Sequence, residues 1–380
     1  MNPLVKLQDF GQSIWYDNIE RRLLAGGAGG GLGRMIADDG VLGLTSNPSI
    51  FEKAIGSNTD YDAEIGRLAA QGRSVEHIYE TLAIEDIRAA CDLLRPVYDR
   101  TGGLNGYASL EVSPHLAHQT EETIAEGRRL HAAVDRVNVM IKVPGTPAGV
   151  PAIEELIGSG INVNVTLLFA QSAYEQAARA YIRGLERLAA SGGDVSKVAS
   201  VASFFVSRID GNADKRIDAL IAATDDADEQ ARLRSLQAKT AVANSKVAYV
   251  RFVEIFDEPR FQTLRDQGAR VQRMLWASTS TKSPDLPDTM YVDLLIGPDT
   301  VNTVPQVTLD AYRDHGDPTG VTVTEDVDEA RAQLAALAAA GVSLDDITAE
   351  LLEQGVASFS AAFDKLMTTI AEKKASLATA

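Results

Sequence analysis

Eight short runs rich in β-branched and apolar residues alternate with stretches of helical periodicity along the 380-residue chain. Several runs are apolar at consecutive positions, which is typical of strands that are buried on both faces. The predicted strands span residues 12–16, 40–45, 105–112, 136–143, 160–169, 197–206, 270–278 and 289–296. Such strands alternating with helices form a parallel sheet, either open or closed. Eight units in a chain of this length predict a (β/α)8 barrel of the α/β class.

The intervals between the predicted strands leave room for extra helices. Residues 60–101 and 212–268 carry helical patterns, and the segment 326–380 is predicted to be helical throughout. The chain has no internal repeat of fixed period and no long linker. We therefore expect residues 1–380 to form a single barrel domain with helical insertions and a helical C-terminal segment.

A glycine-rich segment, AGGAGGGLGR, occupies residues 25–34. It does not fit G-x-G-x-x-G, because Ala28, Leu32, Arg34 and Ile36 stand where glycine is needed. The segment also follows a predicted helix, whereas a nucleotide-binding fingerprint follows a strand, and it contains no Walker lysine. We interpret it as a flexible connection between a helix and a strand.

The charge and cysteine content limit the functional classes. A formal net charge of -17 argues against nucleic acid or an anionic membrane as a partner, so an anionic substrate needs a local cluster of basic groups. The single cysteine, Cys91, excludes an intrachain disulfide and lies in an amphipathic helical pattern as a small core residue. The N-terminus has no apolar signal region, so we expect a cytoplasmic protein, either a monomer or a homodimer.

A lysine interrupts the apolar run of the fourth predicted strand. In VNVMIKVPGTPAG, residues 137–149, Lys142 shares its face with Asn138 and Met140 and comes just before a Pro-Gly turn. Burying an unpaired ammonium is costly enough that such a group usually gives up its proton. A neutral lysine attacks ketones to form an imine. The alternative interpretation is a lysine paired with a carboxylate for stability.

Polar residues stand where the other predicted strands end. Catalytic groups of a (β/α)8 barrel come from the C-terminal ends of several strands. The polar residues found there are Asp17, Thr45, Asn47, Glu111, Asn164, Thr166, Ser203, Arg208, Ser278, Ser280 and Lys282. Each alone is commonly a helix cap or a satisfied structural group. Their recurrence at the strand ends instead predicts an active site.

The residue types suggest a division of roles. Glu111 and Asp17 would supply the proton transfers that imine chemistry needs. Asn47 and Asn164 would fix the hydroxyls of a polyol, and Thr166 would hold a catalytic water. The basic side chains of Arg208 and Lys282 would provide the positive field for a phosphate.

Two segments closely resemble the signature regions of transaldolases. They are GLTSNPSIFEKAI at residues 43–55 and VNVMIKVPGTPAG at 137–149, the latter followed by INVNVTLLF. SLEVSP, FFVSRID, WASTSTKSP and YVDLLIGPDTVNTVP are similar to other blocks of the family, and the whole resembles its longer bacterial branch. The resemblance implies a (β/α)8 barrel without cofactor or metal. It also implies transfer of a dihydroxyacetone unit from sedoheptulose 7-phosphate to glyceraldehyde 3-phosphate in the non-oxidative pentose phosphate pathway, giving erythrose 4-phosphate and fructose 6-phosphate.

The resemblance also implies roles for single residues. Lys142 corresponds to the Schiff-base lysine, and Glu111, with a water held by Thr166, is similar to the acid/base group of imine formation. Asp17 resembles the group that takes the proton from the hydroxyl beside the bond being broken. The residues implied to hold the substrate are Asn47, Asn164 and Ser203 for the three-carbon unit and Arg208 and Ser278 for the phosphate.

Three features depart from the family pattern. Many transaldolases carry a second arginine shortly after the position of Ser278, where this chain has Lys282, a point charge without the bidentate fork. The glycine-rich segment replaces one expected to be more helical and polar. His115 and His118 have H-x-x-H spacing, but without a third ligand nearby we interpret them as a surface pair at a helix start.

Three alternative functions make different demands on the sequence than transaldolase activity does. A Schiff-base aldolase that releases free dihydroxyacetone needs the same lysine. A non-catalytic barrel that binds sugar phosphates predicts loss of Lys142, Glu111 or Asp17, and all three are present. A metal-dependent aldolase needs several ligands at one rim, whereas the five histidines are scattered mostly in helical segments.

Overall fold

The computed structural model describes residues 2–377 and contains a closed barrel of eight parallel strands in chain order. The strands are β1 Gln12–Asp17, β2 Leu44–Thr45, β3 Ala108–Glu111, β4 Val139–Pro144, β5 Val163–Leu168, β6 Ser200–Phe205, β7 Arg273–Ala277 and β8 Thr300–Val304. Pairing of β1 with β8 closes the sheet on itself. The (β/α)8 barrel predicted from the alternating pattern is confirmed.

Helices surround the barrel and fill the long intervals. They are α1 Pro3–Lys6, α2 Arg21–Leu24, α3 Gly31–Asp38, α4 Pro48–Ser57, α5 Asp62–Ala70, α6 Val75–Arg100, α7 Thr120–Val134, α8 Gly149–Gly158, α9 Gln171–Ala190, α10 Ser207–Ala222, α11 Ala227–Arg234, α12 Thr240–Asp257, α13 Pro259–Arg265, α14 Met290–Asp293, α15 Gln306–His315, α16 Val327–Ala339 and α17 Leu344–Leu377. Met1 and the last three residues of the predicted segment 326–380 lie outside the described residues. Within residues 2–377, no helix is both long and apolar enough to cross a membrane.

The eighth strand was wrongly predicted at residues 289–296. That run forms the single turn α14, closed by backbone bonds such as Leu294 N to Met290 O at 3.0 Å, and the true strand is β8. The run is apolar because Leu295 and Ile296 are buried beside the barrel, where Leu295 O accepts a hydrogen bond from Trp276 Nε1. A short apolar run cannot be assigned to helix or strand by periodicity alone.

The glycine-rich segment does not join a helix to a strand, as we predicted, but leads from α2 into α3. A short 3-10 turn at Gly27–Gly29 leads into α3, whose residues Leu32 and Met35 are buried. A Cβ on Gly33 would lie 2.4 Å from Gly27 O, and similar close approaches occur at other glycines here. The absent side chains thus allow the turn to pack directly against the helix.

The strand register brings three polar residues side by side. Lys142 on β4 pairs with Glu111 on β3 and with Asn164 on β5. All three side chains are buried, as the alternation in β4 and β5 predicts. Cys91 is likewise buried, as predicted, with its thiol 3.6 Å from Asn138 O.

The long helix α17 is anchored across the loops that follow the strands. His115 Nε2 lies 2.8 Å from Asp364 Oδ1, and Lys373 Nζ lies 2.6 Å from Asp62 Oδ1. Phe359, in the middle of α17, is only 4% exposed. The helix therefore supplies a wall of the space above the barrel.

Candidate active site

A cavity of about 360 Å³ opens at the carboxyl ends of the strands. The polar residues that line it are Asp17, Thr45, Asn47, Ser49, Lys53, Lys142, Thr166, Ser203, Arg208, Ser278, Ser280, Lys282 and Thr303. Eight of the ten residues to which the sequence analysis assigned a role are among them, as are Thr45 and Ser280. The other two, Glu111 and Asn164, lie behind Lys142 and Ser203 rather than on the wall.

Lys142 is buried and held from three sides. Its Nζ donates a hydrogen bond to Ser46 O at 3.1 Å and lies 3.3 Å from Glu111 Oε2. The ring of Phe359 stands 5.7 Å from the same nitrogen. The amine is thus paired with a carboxylate, as in the second of the two interpretations of its burial. It also lines the cavity, where a substrate carbonyl can reach it.

Glu111 has unused hydrogen-bonding capacity. Neither of its carboxylate oxygens has a hydrogen-bond partner among the described residues, because the approach of Lys142 Nζ is close but poorly aligned. Burial raises the pKa of the Glu111 carboxyl above its ordinary value, and the nearby lysine opposes that shift. A carboxyl with a raised pKa is suited to exchanging a proton near neutral pH.

Asp17 ends β1 and accepts a hydrogen bond from Thr45, which in turn contacts Thr303. Thr45 Oγ1 donates to Asp17 Oδ1 at 2.6 Å and lies 2.6 Å from Thr303 Oγ1. Burial raises the pKa of Asp17, while Lys142, the bond from Thr45 and Arg208 act against the rise. Thr303 was missed in the sequence because β8 was misplaced, although TVNTVP carries β-branched residues and a terminal proline.

The polar face of β5 carries Asn164, whose side chain is hydrogen-bonded, and Thr166, whose hydroxyl is not bonded within the described residues. Asn164 Nδ2 donates to Ser109 Oγ at 3.0 Å, and Ser203 Oγ donates to Asn164 Oδ1 at 2.7 Å. Thr166 Oγ1 is buried and has no partner among residues 2–377. A register shift follows it, with Leu167 at φ 59°. Such an irregularity re-aims the side chains at a strand end, here beside the cavity.

Basic and hydroxyl groups gather at one side of the cavity. The Arg208 guanidinium lies 5.3 Å from the Phe205 ring, and Lys282 Nζ donates to Ser280 Oγ at 2.7 Å. Burial lowers the pKa of Arg208 and of Lys282, and the charge of Arg208 lowers the latter further. Because the positive charges of Arg208 and Lys282 repel each other, an anion bound near both would be stabilised.

Ser278 adopts a conformation that is rare for its residue type. Its φ is 57°, and its Oγ lies 2.9 Å from Ser207 Oγ. A left-handed non-glycine residue costs about 1–3 kcal/mol and is typically retained where geometry serves a function. Ser278 lines the cavity together with Arg208.

Helix α4 contributes residues that the sequence did not reveal as a group. Asn47 Oδ1 accepts from Ile50 N at 3.0 Å, so the side chain caps α4 while it lines the cavity. Ser49 and the exposed Lys53 follow on the same helix. Their spacing of four residues, one helical turn, was the available signal.

The histidine pair lies away from this cavity. His115 and His118 are exposed, and His115 also packs edge-on against Phe363 at 5.7 Å. Its contacts fasten α17 to the barrel. Within the described chain, no group of three or more His, Cys, Asp or Glu side chains is placed to hold a metal ion.

Sequence comparisons agree with this geometry. Residues 14–370 match the family described as Transaldolase/Fructose-6-phosphate aldolase. The chain is 47% identical to Transaldolase 2 of Nostoc sp. over 98% of both sequences. It is 46% identical to the transaldolase of Thermobifida fusca over 98% of this chain and 99% of that one. The chain belongs to the transaldolase/fructose-6-phosphate aldolase family.

Proposed function

We propose that the protein is a transaldolase that transfers a dihydroxyacetone unit through a Schiff base on Lys142. The observation that carries the proposal is a buried amine that lines a polar cavity and has a carboxylate at 3.3 Å. Full-length identity of 46–47% to proteins named transaldolase supports the same activity. The donor and acceptor would be sedoheptulose 7-phosphate and glyceraldehyde 3-phosphate.

Imine formation would begin with attack of neutral Lys142 Nζ on C2 of the ketose. A proton must then reach the C2 hydroxyl so that it leaves as water. Glu111 is the nearest carboxyl to Nζ, and burial raises its pKa toward the range needed for this transfer. Thr166 Oγ1, which has no hydrogen-bond partner among the described residues, would hold the water that links Glu111 to the reacting carbon.

Carbon–carbon cleavage would follow from the protonated imine. Asp17 would take the proton of the C4 hydroxyl, the C3–C4 bond would break, and its electron pair would pass to the imine to give an enamine. Erythrose 4-phosphate would leave as an aldehyde. Glyceraldehyde 3-phosphate would then accept the enamine carbon, and hydrolysis would release fructose 6-phosphate and the free lysine.

Substrate binding would divide the cavity into two regions. Asn47, together with Ser203 and Asn164 beneath it, would fix the hydroxyls of the three-carbon unit. Arg208, Ser278 and Lys282 would bind the phosphate at the other end. The chain has a net charge of -17, so this local positive group is needed to admit a phosphorylated sugar.

Borohydride trapping tests the proposal directly. The protein is incubated with fructose 6-phosphate, reduced, digested and mapped by mass spectrometry. A reduced three-carbon adduct on Lys142 is expected, and Lys53 in the same cavity serves as the internal control that stays unmodified. A folded protein without an adduct on Lys142 would contradict the proposal and favour the non-catalytic sugar-phosphate barrel.

An aldolase that releases free dihydroxyacetone is the second candidate, because the matched family includes fructose-6-phosphate aldolase by its description. Turnover of fructose 6-phosphate without an acceptor aldehyde separates the two activities. We expect turnover only when the acceptor is present. We further propose that the barrel and its helices act as one catalytic domain in the cytoplasm, with sugar phosphates as the partners and without metal or cofactor.

A further inference from the structure

A second cavity, of about 380 Å³, lies at the opposite end of the barrel from the active site. Its wall includes residues at the starts of β6 and β7 and the residue before β8, whereas the active-site cavity is built from strand ends. Three arginines, Arg265, Arg270 and Arg273, line it together with one carboxylate, Asp299. We call it the basal cavity.

Arg273 is a buried cation with only neutral hydrogen-bond partners. The residue is 5% exposed, and its two terminal nitrogens donate to acceptors at 2.7–3.2 Å. These acceptors are Leu104 O, Asn105 Oδ1, Ser13 Oγ and Thr300 O. Its Nε is buried and has no partner in the described part of the chain. Burial lowers the pKa of Arg273 to about 10, so the guanidinium stays charged near pH 7.

The other two arginines of the basal cavity also bond to neutral groups. Arg270 donates to the backbone oxygens of Gly102 and Gly103, and Arg265 to Gln262 Oε1 and Phe256 O. Elsewhere in this acidic chain, arginines commonly pair with carboxylates, as Arg260 does with Glu186 at 2.5 Å. The three guanidinium groups are therefore opposed in the cavity by the exposed Asp299 alone.

We propose that the basal cavity binds a small oxyanion of the phosphate class, with the guanidinium groups of Arg265 and Arg270 as its donors and the buried charge of Arg273 adding to the positive potential. A buried charge that lacks a counter-ion is costly, and an entering anion removes that cost. Guanidinium groups suit phosphate oxygens because they offer several donors in one plane. Binding would also link β1, β3, β7 and β8 at their starts, so it would stabilise the folded barrel.

The test requires a variant in which the proposed phosphate site of the active-site cavity no longer binds phosphate. The double variant Arg208→Gln/Lys282→Gln provides this background. Inorganic phosphate is titrated into it by calorimetry, with chloride keeping the ionic strength constant. We expect saturable binding of one phosphate and a rise of the unfolding temperature with phosphate over chloride.

Three substitutions in that background assign the site, and two substitutions elsewhere are their controls. Arg265→Gln and Arg270→Gln should each weaken phosphate binding by about tenfold, since a hydrogen bond to a charged group is lost. Asp299→Asn should tighten it severalfold, and asparagine tolerates the φ of 53° found there. The exposed Arg232→Gln and Asp225→Asn make the same charge changes away from the cavity and should have little effect.

The outcomes are distinguishable from those of the active site. Absence of saturable phosphate binding in the background variant would overturn the proposal. So would binding that Arg265→Gln and Arg270→Gln leave unchanged, or that the two control variants alter equally. Glycerol 3-phosphate is titrated in parallel. Equal affinity would identify the ligand as a phosphate monoester, and binding of inorganic phosphate alone would identify the free ion.

Discussion

Glu111 and Lys142 are register partners on neighbouring strands, and Glu111 Oε2 lies 3.3 Å from Lys142 Nζ. The carboxylate lies behind the amine, while the amine faces the cavity. A nucleophile and its proton-exchange group are thus held by the barrel itself rather than by loops. Sites on rigid strands keep such pairs in working geometry.

Replacing Lys142 with methionine should abolish transfer while the barrel stays folded. Methionine keeps much of the side-chain volume but has no amine, so no imine can form. We expect kcat to fall by at least about a thousandfold, as for the loss of other nucleophiles. Steady-state transfer assays and circular dichroism measure the two effects. Lys53→Met is the matched control in the same cavity, and comparable losses in both variants would contradict the assignment.

Glu111→Gln should slow formation of the imine and leave the amine reactive. The amide keeps the shape of the side chain but cannot exchange a proton as a carboxyl does. We expect the rate of adduct formation to fall by about 10²–10⁴-fold. Quenching with borohydride at increasing times follows this step alone. An unchanged trapping rate would remove Glu111 from the proposed chemistry.

Asp17→Asn should raise stability at neutral pH while it lowers activity. Burial raises the pKa of Asp17, so the native state binds this proton more tightly than the unfolded state does. The wild-type free energy of unfolding should therefore fall as pH rises from about 4 through the native pKa. The variant lacks this contribution. As pH rises from 4 to 8, the unfolding temperature of Asp17→Asn should increase relative to that of the wild type.

That comparison has a control at an exposed site. Asp9→Asn removes a carboxyl from the surface and should not change the pH dependence. Transfer activity of Asp17→Asn should drop by about 10²–10⁴-fold. An Asp17→Asn variant that is less stable than the wild type by the same amount at every pH would contradict the predicted effect of burial on Asp17.

Arg208→Gln should raise KM for phosphorylated sugars by about 10- to 100-fold, because hydrogen bonds to a charged group are lost. Kinetics with unphosphorylated fructose as donor should change little. Lys282→Gln should have a smaller effect, since lysine is a point charge without the bidentate fork of arginine. Equal effects on both kinds of donor would show that Arg208 does more than bind phosphate.

Phe359→Leu should lower kcat by about 2- to 30-fold through loss of the aromatic ring near Lys142 Nζ. Phe363→Leu is the matched change one turn further along α17. Phe363 packs edge-on against Tyr79 and His115 instead. If both variants lost the same activity, the effect would be general loosening of α17 rather than a contact with the lysine.

The sequence predicted which side chains of β4 and β5 face the barrel interior, because every second residue of a strand lies on the same face. Lys142, Asn164 and Thr166 accordingly lie where the alternation places them. The local sequence pattern also shows that a polar residue stands at a strand end. It does not show which strands become neighbours. That followed from the expectation of a closed barrel with its strands in chain order.

Other features depended on tertiary contacts. The apolar run at 289–296 was misread because burial beside the barrel imposes no strand periodicity, and Thr303 was lost with it. Phe359 belongs to an amphipathic helix whose apolar side could have packed anywhere on the barrel. Helix α3 was missed because its first turn contains Gly31 and Gly33, and glycine is a poor helix former.

The position of Phe359 in α17 also bears on the order in which the protein is made. All eight strands precede this helix, so a ribosome completes the barrel while one wall of the active-site cavity is still missing. Lys142 then lies beneath an open cavity until α17 emerges and docks against His115 and Asp62. A nascent chain should therefore be able to pair all eight strands before the wall that α17 supplies is in place.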